Sequence, residues 1–206
     1  MAVSGLDSAR WDALMARLGL PPSRDVFERL QGLHAEPHRH YHTADHVNAL
    51  LRHLDAHREL ARRADLIEIA IWFHDAVYRP GSKTNERDSA DMAVAVLAPH
   101  LDTDDVAFVE RAIVLTADHG DTDDPDTQLM LDFDLSVLAA SPEIYADYAS
   151  RIQREFRRVP GFLFRRGRRK VLRHFLAMPR IYKRDAIAAL WEDRARTNLQ
   201  TELASL

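Results

Sequence analysis

A histidine and an aspartate stand side by side at the end of the most hydrophobic segment of the chain. Residues 66–73 contain a single polar residue, Glu68, and are followed directly by His74 and Asp75. Burial would strip water from both side chains, which costs several kcal/mol when no partner replaces it. A mutual hydrogen-bond network could compensate for this loss. A divalent cation would do so better, because it needs a neutral imidazole and an ionised carboxylate together.

Two histidines precede another apolar stripe. If residues 43–54 are helical, His42 and His46 lie one turn apart on one face. This spacing suits two metal ligands, or one ligand beside a proton donor. A solvated turn with incidental histidines explains the same spacing, which His53 and His57 repeat further along.

Carboxylates also enter two later apolar runs. Asp132 and Asp134 lie within residues 129–139, and we expect at least one of them to reach the core. Asp132 could instead cap the helix, an explanation that fits Asp134 less well. Asp118 and His119 end a further apolar run. Several apolar helices that each bring a histidine or an aspartate to a buried face favour a hard divalent metal ion.

These side chains can meet only if the apolar segments pack together as helices. Strand-like alternation is almost absent, and proline-containing breaks fall at "PPS" from 21, "RPGS" from 79, "SPE" from 141, "VPG" from 159 and "MPR" from 178. The pattern predicts an all-α, single-domain bundle of about eight to ten helices over residues 1–206. The clearest stripes are Trp11, Leu14, Met15 and Leu18; Val47, Leu50, Leu51 and Leu54; and Val171, Leu172, Phe175 and Leu176.

Composition excludes several classes of function. The chain has no cysteine, which rules out disulfides, thiolate metal sites and cysteine nucleophiles. A formal charge of -4 argues against a protein that grips nucleic acid or anionic lipid over its whole surface. The opening residues "MAVSGLDSARW" lack a basic start and an apolar core, and the apolar run near residue 71 is too short to span a bilayer. We therefore expect a cytoplasmic protein without a membrane partner.

The ordered set of His46, His74 with Asp75, and Asp134 resembles the HD superfamily of metal-dependent phosphohydrolases. The local spellings "YHTADHV", "WFHDAVY", "NERDSA", "LTADH" and "DFDLSVL" are most similar to a bacterial family of stand-alone predicted HD phosphohydrolases. The likeness extends through "YADYASRIQREF", "GRRKVL" and "WEDRARTNLQTEL". It implies a helical fold of the phosphodiesterase-like type and a hydrolase that acts on a phosphoester.

The resemblance also implies roles for individual residues. His46, His74, Asp75 and Asp134 would bind a divalent metal, which could be Mg, Mn, Co, Ni or Fe. Because "YHTADH" is similar to the motif of cyclic-nucleotide phosphodiesterases, His42 would be the general acid. With Asp75 it forms the expected catalytic pair, in which water activated by the metal attacks the phosphoester.

Further residues are candidates for a second metal or for the substrate. Binuclear relatives carry extra histidines between the dipeptide and the last aspartate, whereas the corresponding region here has Glu86 and no histidine. His119 could be a further ligand, a substrate contact or a buried structural histidine. Arg39 and Lys83 flank motif residues and are candidates for binding phosphate. The basic run 164–170 is interpreted as a solvated face or as an interface with an acidic partner. The expected partner is a small phosphorylated substrate, most simply a nucleotide, and a homodimer stays open.

Three other functions are alternatives for the same sequence. Some HD-fold proteins use two irons to activate oxygen, which calls for more histidines than this pattern assembles. A helical binding module could keep the metal for stability alone. Binding of nucleic acid through residues 165–170 is disfavoured by the acidic balance of the chain.

Overall fold

Ten α-helices and no strands make up the chain within residues 5–206, the range that this computed structural model describes. The helices are α1 Ser8–Arg17, α2 Arg24–His34, α3 Ala44–Ala56, α4 Ala64–Phe73, α5 Asn85–Leu97, α6 Thr103–Val114, α7 Pro125–Asp134, α8 Pro142–Glu155, α9 Gly161–Ala177 and α10 Asp185–Ser205. Short 3-10 helices occupy Arg58–Leu60, Leu115–Ala117 and Leu135–Ala139. The predicted all-α, single-domain fold is confirmed.

The sequence predicts neither a membrane-spanning helix nor an export signal. None of the helices in the described range combines the length and the hydrophobicity that crossing a bilayer requires. Residues 1–4, which open the stretch used to judge an export signal, lie outside the described range.

Short polar side chains and prolines fix the helix ends that bring the candidate residues into place. Ser141 caps α8 through the amide of Ile144, and Pro142 occupies its first turn, as the sequence predicts. Asp124 caps α7 in the same way by accepting hydrogen bonds from the amides of Asp126 and Thr127. These caps set where the helices start, and thereby which side chains α7 turns toward the interior.

The central helix of the bundle is α4. All eight residues from 66 to 73 are buried, and the helix packs against α1, α3, α5, α6 and α7. Trp72 lies edge-on to Trp11 with ring centroids 5.2 Å apart, and Phe27 closes the same aromatic group. Since α4 is surrounded, the two residues that follow it, His74 and Asp75, emerge inside the protein.

Helix α3 begins later than the first motif. Its first residue is Ala44 and its N-cap is Thr43, so His46 belongs to the first turn while His42 precedes the helix. The expectation that both histidines share one helical face is therefore wrong. The apolar stripe of Val47, Leu50, Leu51 and Leu54 is fully buried as predicted.

Helix α9 is more peripheral than its sequence suggests. Of the predicted stripe, Leu172 is fully buried, whereas Phe175 and Leu176 are half-buried and Val171 is 43% exposed. Arg168 is the other fully buried residue of this helix. Most of the helix surface consequently faces solvent.

The one acidic residue of α4 anchors the first helix. Glu68 is buried and accepts a hydrogen bond from Nε of Arg10 at 2.8 Å. It accepts a second one from a terminal guanidinium nitrogen of Arg17, also at 2.8 Å. Arg10 makes a further bidentate pair with Asp55. This network compensates for the charge that α4 carries into the core.

We expect Glu68→Ala to lower the free energy of unfolding by about 3 kcal/mol, because both arginines would lose a buried counter-charge. Urea denaturation followed by circular dichroism measures this change. Glu28, whose pair with Arg24 is largely exposed, provides the matched control, and Glu28→Ala should change stability by less than about 0.5 kcal/mol. Equal effects of the two substitutions would contradict a structural role for the buried network.

Candidate metal centre

Four candidate side chains converge from the ends of three helices. His46 comes from the first turn of α3, His74 and Asp75 follow α4, and Asp134 is the last residue of α7. Nε2 of His46 lies 3.0 Å from Oδ1 of Asp134, 3.2 Å from Nε2 of His74 and 3.5 Å from Oδ2 of Asp75. Stretches of chain that are 88 residues apart in sequence thus meet at one point.

The spacing of these atoms suits a bound ion. Ligand atoms about 2.1 Å from one ion and at right angles to each other lie about 3.0 Å apart. Nε2 of His74 is 3.1 Å from Oδ2 of Asp75 and 3.6 Å from Oδ1 of Asp134, in this same range. His46, His74 and Asp75 form a group that could hold a metal ion.

Hydrogen bonding fixes which nitrogen of His74 faces the cluster. Nδ1 lies 2.8 Å from the carbonyl oxygen of Ile71, which can only accept, so Nδ1 carries a proton and donates it. In the neutral ring, Nε2 is then a bare lone pair aimed at His46 and at the carboxylate of Asp75. Lone pairs that face one another in a buried space need a cation or a proton between them.

The protonation of the cluster follows from this crowding. Burial alone would lower the pKa of His74, but Asp75 and Asp134 raise it well above its usual value. Burial would raise the pKa of Asp134, but hydrogen bonds with His119, His46 and His74 hold it well below its usual value. The pKa of Asp75 is also depressed, against the effect of burial, by His74 and His42. A metal entering this site therefore replaces a proton.

His119 approaches the cluster from the outside. Its Nε2 lies 2.9 Å from Oδ2 of Asp134, the oxygen that does not face His46. Its backbone has φ 53°, a left-handed conformation that is uncommon for any residue other than glycine. Its ring contacts the edge of Phe175 in α9. His119 thus orients a carboxylate of the cluster, in the manner of a partner to a metal ligand.

A second group, built around Glu155, lies beside the cluster. Oε1 of Glu155 accepts hydrogen bonds from the backbone amides of His40, Tyr41 and His42 at 2.7, 2.7 and 3.1 Å. Its Oε2 accepts from Nδ1 of His42 at 2.8 Å and from the hydroxyl of Tyr78 at 2.7 Å. Burial would raise the pKa of Glu155, but these bonds, above all that from His42, lower it to about 2. The carboxylate is therefore ionised, and it holds the loop before α3.

His42 is poised between Glu155 and the cluster. Its ring stacks on Tyr78 with centroids 4.1 Å apart and meets the ring of His46 at 6.0 Å. Burial would lower the pKa of His42, but Asp75 and the hydrogen bond to Glu155 raise it above its usual value. Nδ1 is used by Glu155, whereas Nε2 makes no hydrogen bond within the described residues, and the side chain is 20% exposed.

The two residues expected to bind phosphate differ in their surroundings. Arg39 is fully buried and donates to the carbonyls of His42, Asp75 and Ala76 and to Glu36. It leaves no exposed donor for a phosphate, so its assignment as a phosphate ligand is wrong and its role is structural. Lys83 is exposed in the turn before α5, within the range described, and makes no hydrogen bond or ion pair to the cluster.

Glu86, the candidate for a second metal, is not part of the cluster. It lies half-buried in the first turn of α5, and no hydrogen bond or ion pair joins it to the metal group within residues 5–206. The group that could hold an ion comprises His46, His74 and Asp75 without it.

Two residues of the site had no recognisable signal in the sequence. Glu155 sits in the run "QREFRR", where nothing marks it as buried. His34 ends α2, is fully buried, and has no hydrogen-bond partner within residues 5–206 for either ring nitrogen. Burial, with the charge of Arg39 adding to it, lowers the pKa of His34 to about 3, so this ring is neutral. The contact between Glu155 and His42 joins residues 113 positions apart in sequence, and hydrophobic periodicity does not predict contacts over such a separation.

A cavity of about 500 Å³ adjoins the cluster on the side of His46. Aromatic rings of Tyr41, Tyr148 and Trp191 line it, together with arginines that include Arg52 and Arg151. A larger cavity of about 690 Å³ lies between α1 and α2, and no residue of the metal group lines it. His46 is the member of the cluster that lines the cavity of about 500 Å³.

Known proteins do not assign this site. No family model matches the chain, and neither a curated protein nor a solved structure matches it. The basis for its chemistry is therefore its own residues and the distances between them.

We expect His74→Ala and Asp75→Ala to abolish uptake of Mn²⁺ or Co²⁺, because each removes an atom of the group that could hold the ion. The wild-type protein should melt at a higher temperature when metal is added, since an ion that binds only the folded state stabilises it. Metal analysis after gel filtration and differential scanning fluorimetry measure the two effects. His100→Ala, at an exposed position, is the control; full metal occupancy in both site variants would refute the assignment.

Proposed function

We propose that this protein is a metal-dependent phosphohydrolase of the HD type that acts on a small phosphorylated molecule. The observation that carries the proposal is the position of His42, whose ring centroid lies 6.0 Å from that of His46 in a cluster of two histidines and two aspartates. A cluster of this kind without a neighbouring proton donor would suit a structural metal equally well. With a neighbouring proton donor, the same cluster suits hydrolysis.

In the proposal, Asp134 completes the ligand set of His46, His74 and Asp75. Its Oδ1 lies as close to His46 as the other members of the group do. These four groups would hold a divalent ion, which would supply a water of lowered pKa and offset charge on the phosphoryl group. His119 would hold Asp134 in the orientation that binding requires.

The chemistry of His42 follows from its hydrogen bond. Glu155 accepts the proton on Nδ1, so the second ring proton, on Nε2, is present in the imidazolium form and can be donated to a leaving oxygen. The carboxylates of Asp75 and Glu155 favour the imidazolium by raising the pKa of His42. His42 therefore suits a general acid at neutral pH.

Glu155, Tyr78 and Arg39 act through position rather than through contact with the substrate. Glu155 binds both the ring and the backbone of the loop that carries His42. Tyr78 supplies a flat surface on which the ring stacks and donates its hydroxyl to the same carboxylate. Arg39 joins the carbonyls of His42 and Asp75 and so fixes the distance between the proton donor and the metal group.

The adjoining cavity supports a nucleotide as the substrate class. Tyr41, Tyr148 and Trp191 offer flat apolar surfaces for a base, and such stacking is worth about 1 to 3 kcal/mol per base. Arg52 and Arg151 are cations that a second phosphate could contact. A screen of mononucleotides, cyclic nucleotides and sugar phosphates with several divalent metals tests this class directly.

We expect His42→Gln to lower kcat about 100-fold on the best substrate of that screen while metal uptake is retained, because only the proton donor is lost. Steady-state kinetics and metal analysis on the same preparation measure both effects. His100→Gln is a matched control at an exposed histidine. Undiminished turnover in the His42 variant, or absence of any turnover in the wild type with every metal tried, would favour a module that keeps the metal for stability.

We expect Glu155→Gln to shift the alkaline limb of the kcat profile toward lower pH. His42 must be protonated to act, so activity falls as pH rises through its pKa; removal of the Glu155 charge removes one cause of the raised pKa. The amide keeps an oxygen that can accept from the backbone, so folding and metal uptake should be preserved. An unchanged limb with reduced kcat would indicate that Glu155 serves the fold alone.

A further inference from the structure

Positive charge is concentrated in one short segment of an otherwise acidic protein. Residues 154–173, from the end of α8 through most of α9, contain nine arginines and lysines and one acidic residue, Glu155. The segment carries a formal charge of +8, whereas the whole chain carries -4 and the remainder therefore -12. An acidic body with one basic face approaches an anionic surface in a single orientation.

Most of these cations have no acidic partner. Arg168 forms a bidentate pair with Glu202, and Arg169 donates to the backbone carbonyl of Leu206. Within residues 5–206, the other cations of the segment make no hydrogen bond or ion pair through their side chains. They are Arg154, Arg157, Arg158, Arg165, Arg166, Lys170 and Arg173.

Exposed apolar side chains lie in the middle of this basic segment. Phe162 is 65% exposed and Leu163 45% exposed in the first turn of α9, and Val159, just before it, is 37% exposed. Beside them a shallow cavity of about 390 Å³ is lined by Arg154 and Arg157 around apolar walls, of which Val159 forms part. We name the three exposed apolar residues the α9 tip.

We propose that the α9 tip and its arginines dock this protein on an anionic lipid surface. Apolar side chains that project together from a helix end enter the boundary between headgroups and acyl chains, while neighbouring arginines bind lipid phosphates. The outer face of α9 continues this arrangement, since Arg166, Lys170 and Arg173 follow Leu163 on the solvent side of the helix.

Two other occupants fit the same residues less well. A symmetric dimer would bring the face against its own copy, and seven unpaired cations on each side would repel one another. A nucleic acid would contact the arginines and could stack on Phe162, but it offers no apolar environment for Leu163 and Val159. Lipid satisfies the cations and the apolar side chains together.

The test is co-sedimentation of the full chain with vesicles at low and at high salt. One set of vesicles contains phosphatidylcholine alone, and the other contains phosphatidylcholine with phosphatidylglycerol. We expect binding to the anionic vesicles only, weakened by salt because exposed charges are screened. Single-stranded RNA in a parallel titration identifies nucleic acid as the occupant, and light scattering identifies a dimer.

Variants separate the two components of the surface. Phe162→Ser with Leu163→Ser should weaken binding to anionic vesicles about ten-fold or more, through lost apolar burial. Replacing Arg157, Arg158 and Arg166 by glutamine should weaken it about five-fold for each cation removed. The controls are Ile144→Ser, an exposed apolar residue at the opposite end of α8, and Arg29→Gln, an exposed arginine of α2. All positions are at the surface, so circular dichroism should show unchanged helix content.

Each outcome of these experiments either supports the proposal or overturns it. Salt-sensitive binding to anionic vesicles that both sets of variants weaken, and that the controls leave intact, supports the proposal. Absence of binding to anionic vesicles at low salt overturns it. So do binding that ignores the serine substitutions, preference for RNA over vesicles, and a dimer that the serine substitutions dissociate.

Discussion

Lone pairs that face one another inside an apolar bundle are the constraint on which this structure depends. In its neutral form His74 presents a bare nitrogen to its neighbours, because its other nitrogen donates to a carbonyl of its own helix. Oδ2 of Asp75, Nε2 of His46 and Oδ1 of Asp134 lie 3.1, 3.2 and 3.6 Å from that nitrogen. Only a positive charge, on a proton or a metal ion, relieves such an arrangement.

The positions of the helices explain why relief by solvent is limited. α4 runs through the middle of the bundle, so the residues that follow it lie deep, and α3 and α7 bring their own ends to the same depth. The exposed fractions of the cluster members stay low, from 1% for His74 to 14% for Asp134. Charges in such a place interact strongly, which is useful to a site that binds ions and costly to a fold that does not.

Sequence reasoning reached the cluster because polar residues interrupt hydrophobic periodicity, and an interruption is visible in a single chain. Such interruptions predicted that several histidines and aspartates reach buried faces, and the resemblance implied the set of His46, His74, Asp75 and Asp134. The structure brings these four together, and their role as ligands stays a prediction. Asp132 is buried, which confirms the expectation that at least one carboxylate of this run reaches the core, and it accepts hydrogen bonds from the amides of Lys183 and Arg184 instead of capping its own helix. Nothing in the sequence indicated that contact.

The contacts that the sequence did not predict share a physical cause. Glu155 and Arg39 work through the backbone of distant loops, and backbone donors and acceptors are the same in every sequence. Residue type therefore gives no sign of which loop an arginine or a glutamate will bind. The exposed side of α9 was missed for a related reason, because apolar spacing predicts that a helix is amphipathic without saying how much of it its neighbours cover.

Arg39 also has a bearing on how the molecule opens. One guanidinium group is bonded to carbonyls on either side of α3 and α4, namely those of His42, Asp75 and Ala76. The two loops are thereby fastened into one cooperative unit, and a fluctuation that frees one of them must free the other. Amide exchange in the two loops would therefore rise and fall together, and the group of His46, His74 and Asp75 would become exposed in the same event that displaces the imidazole of His42.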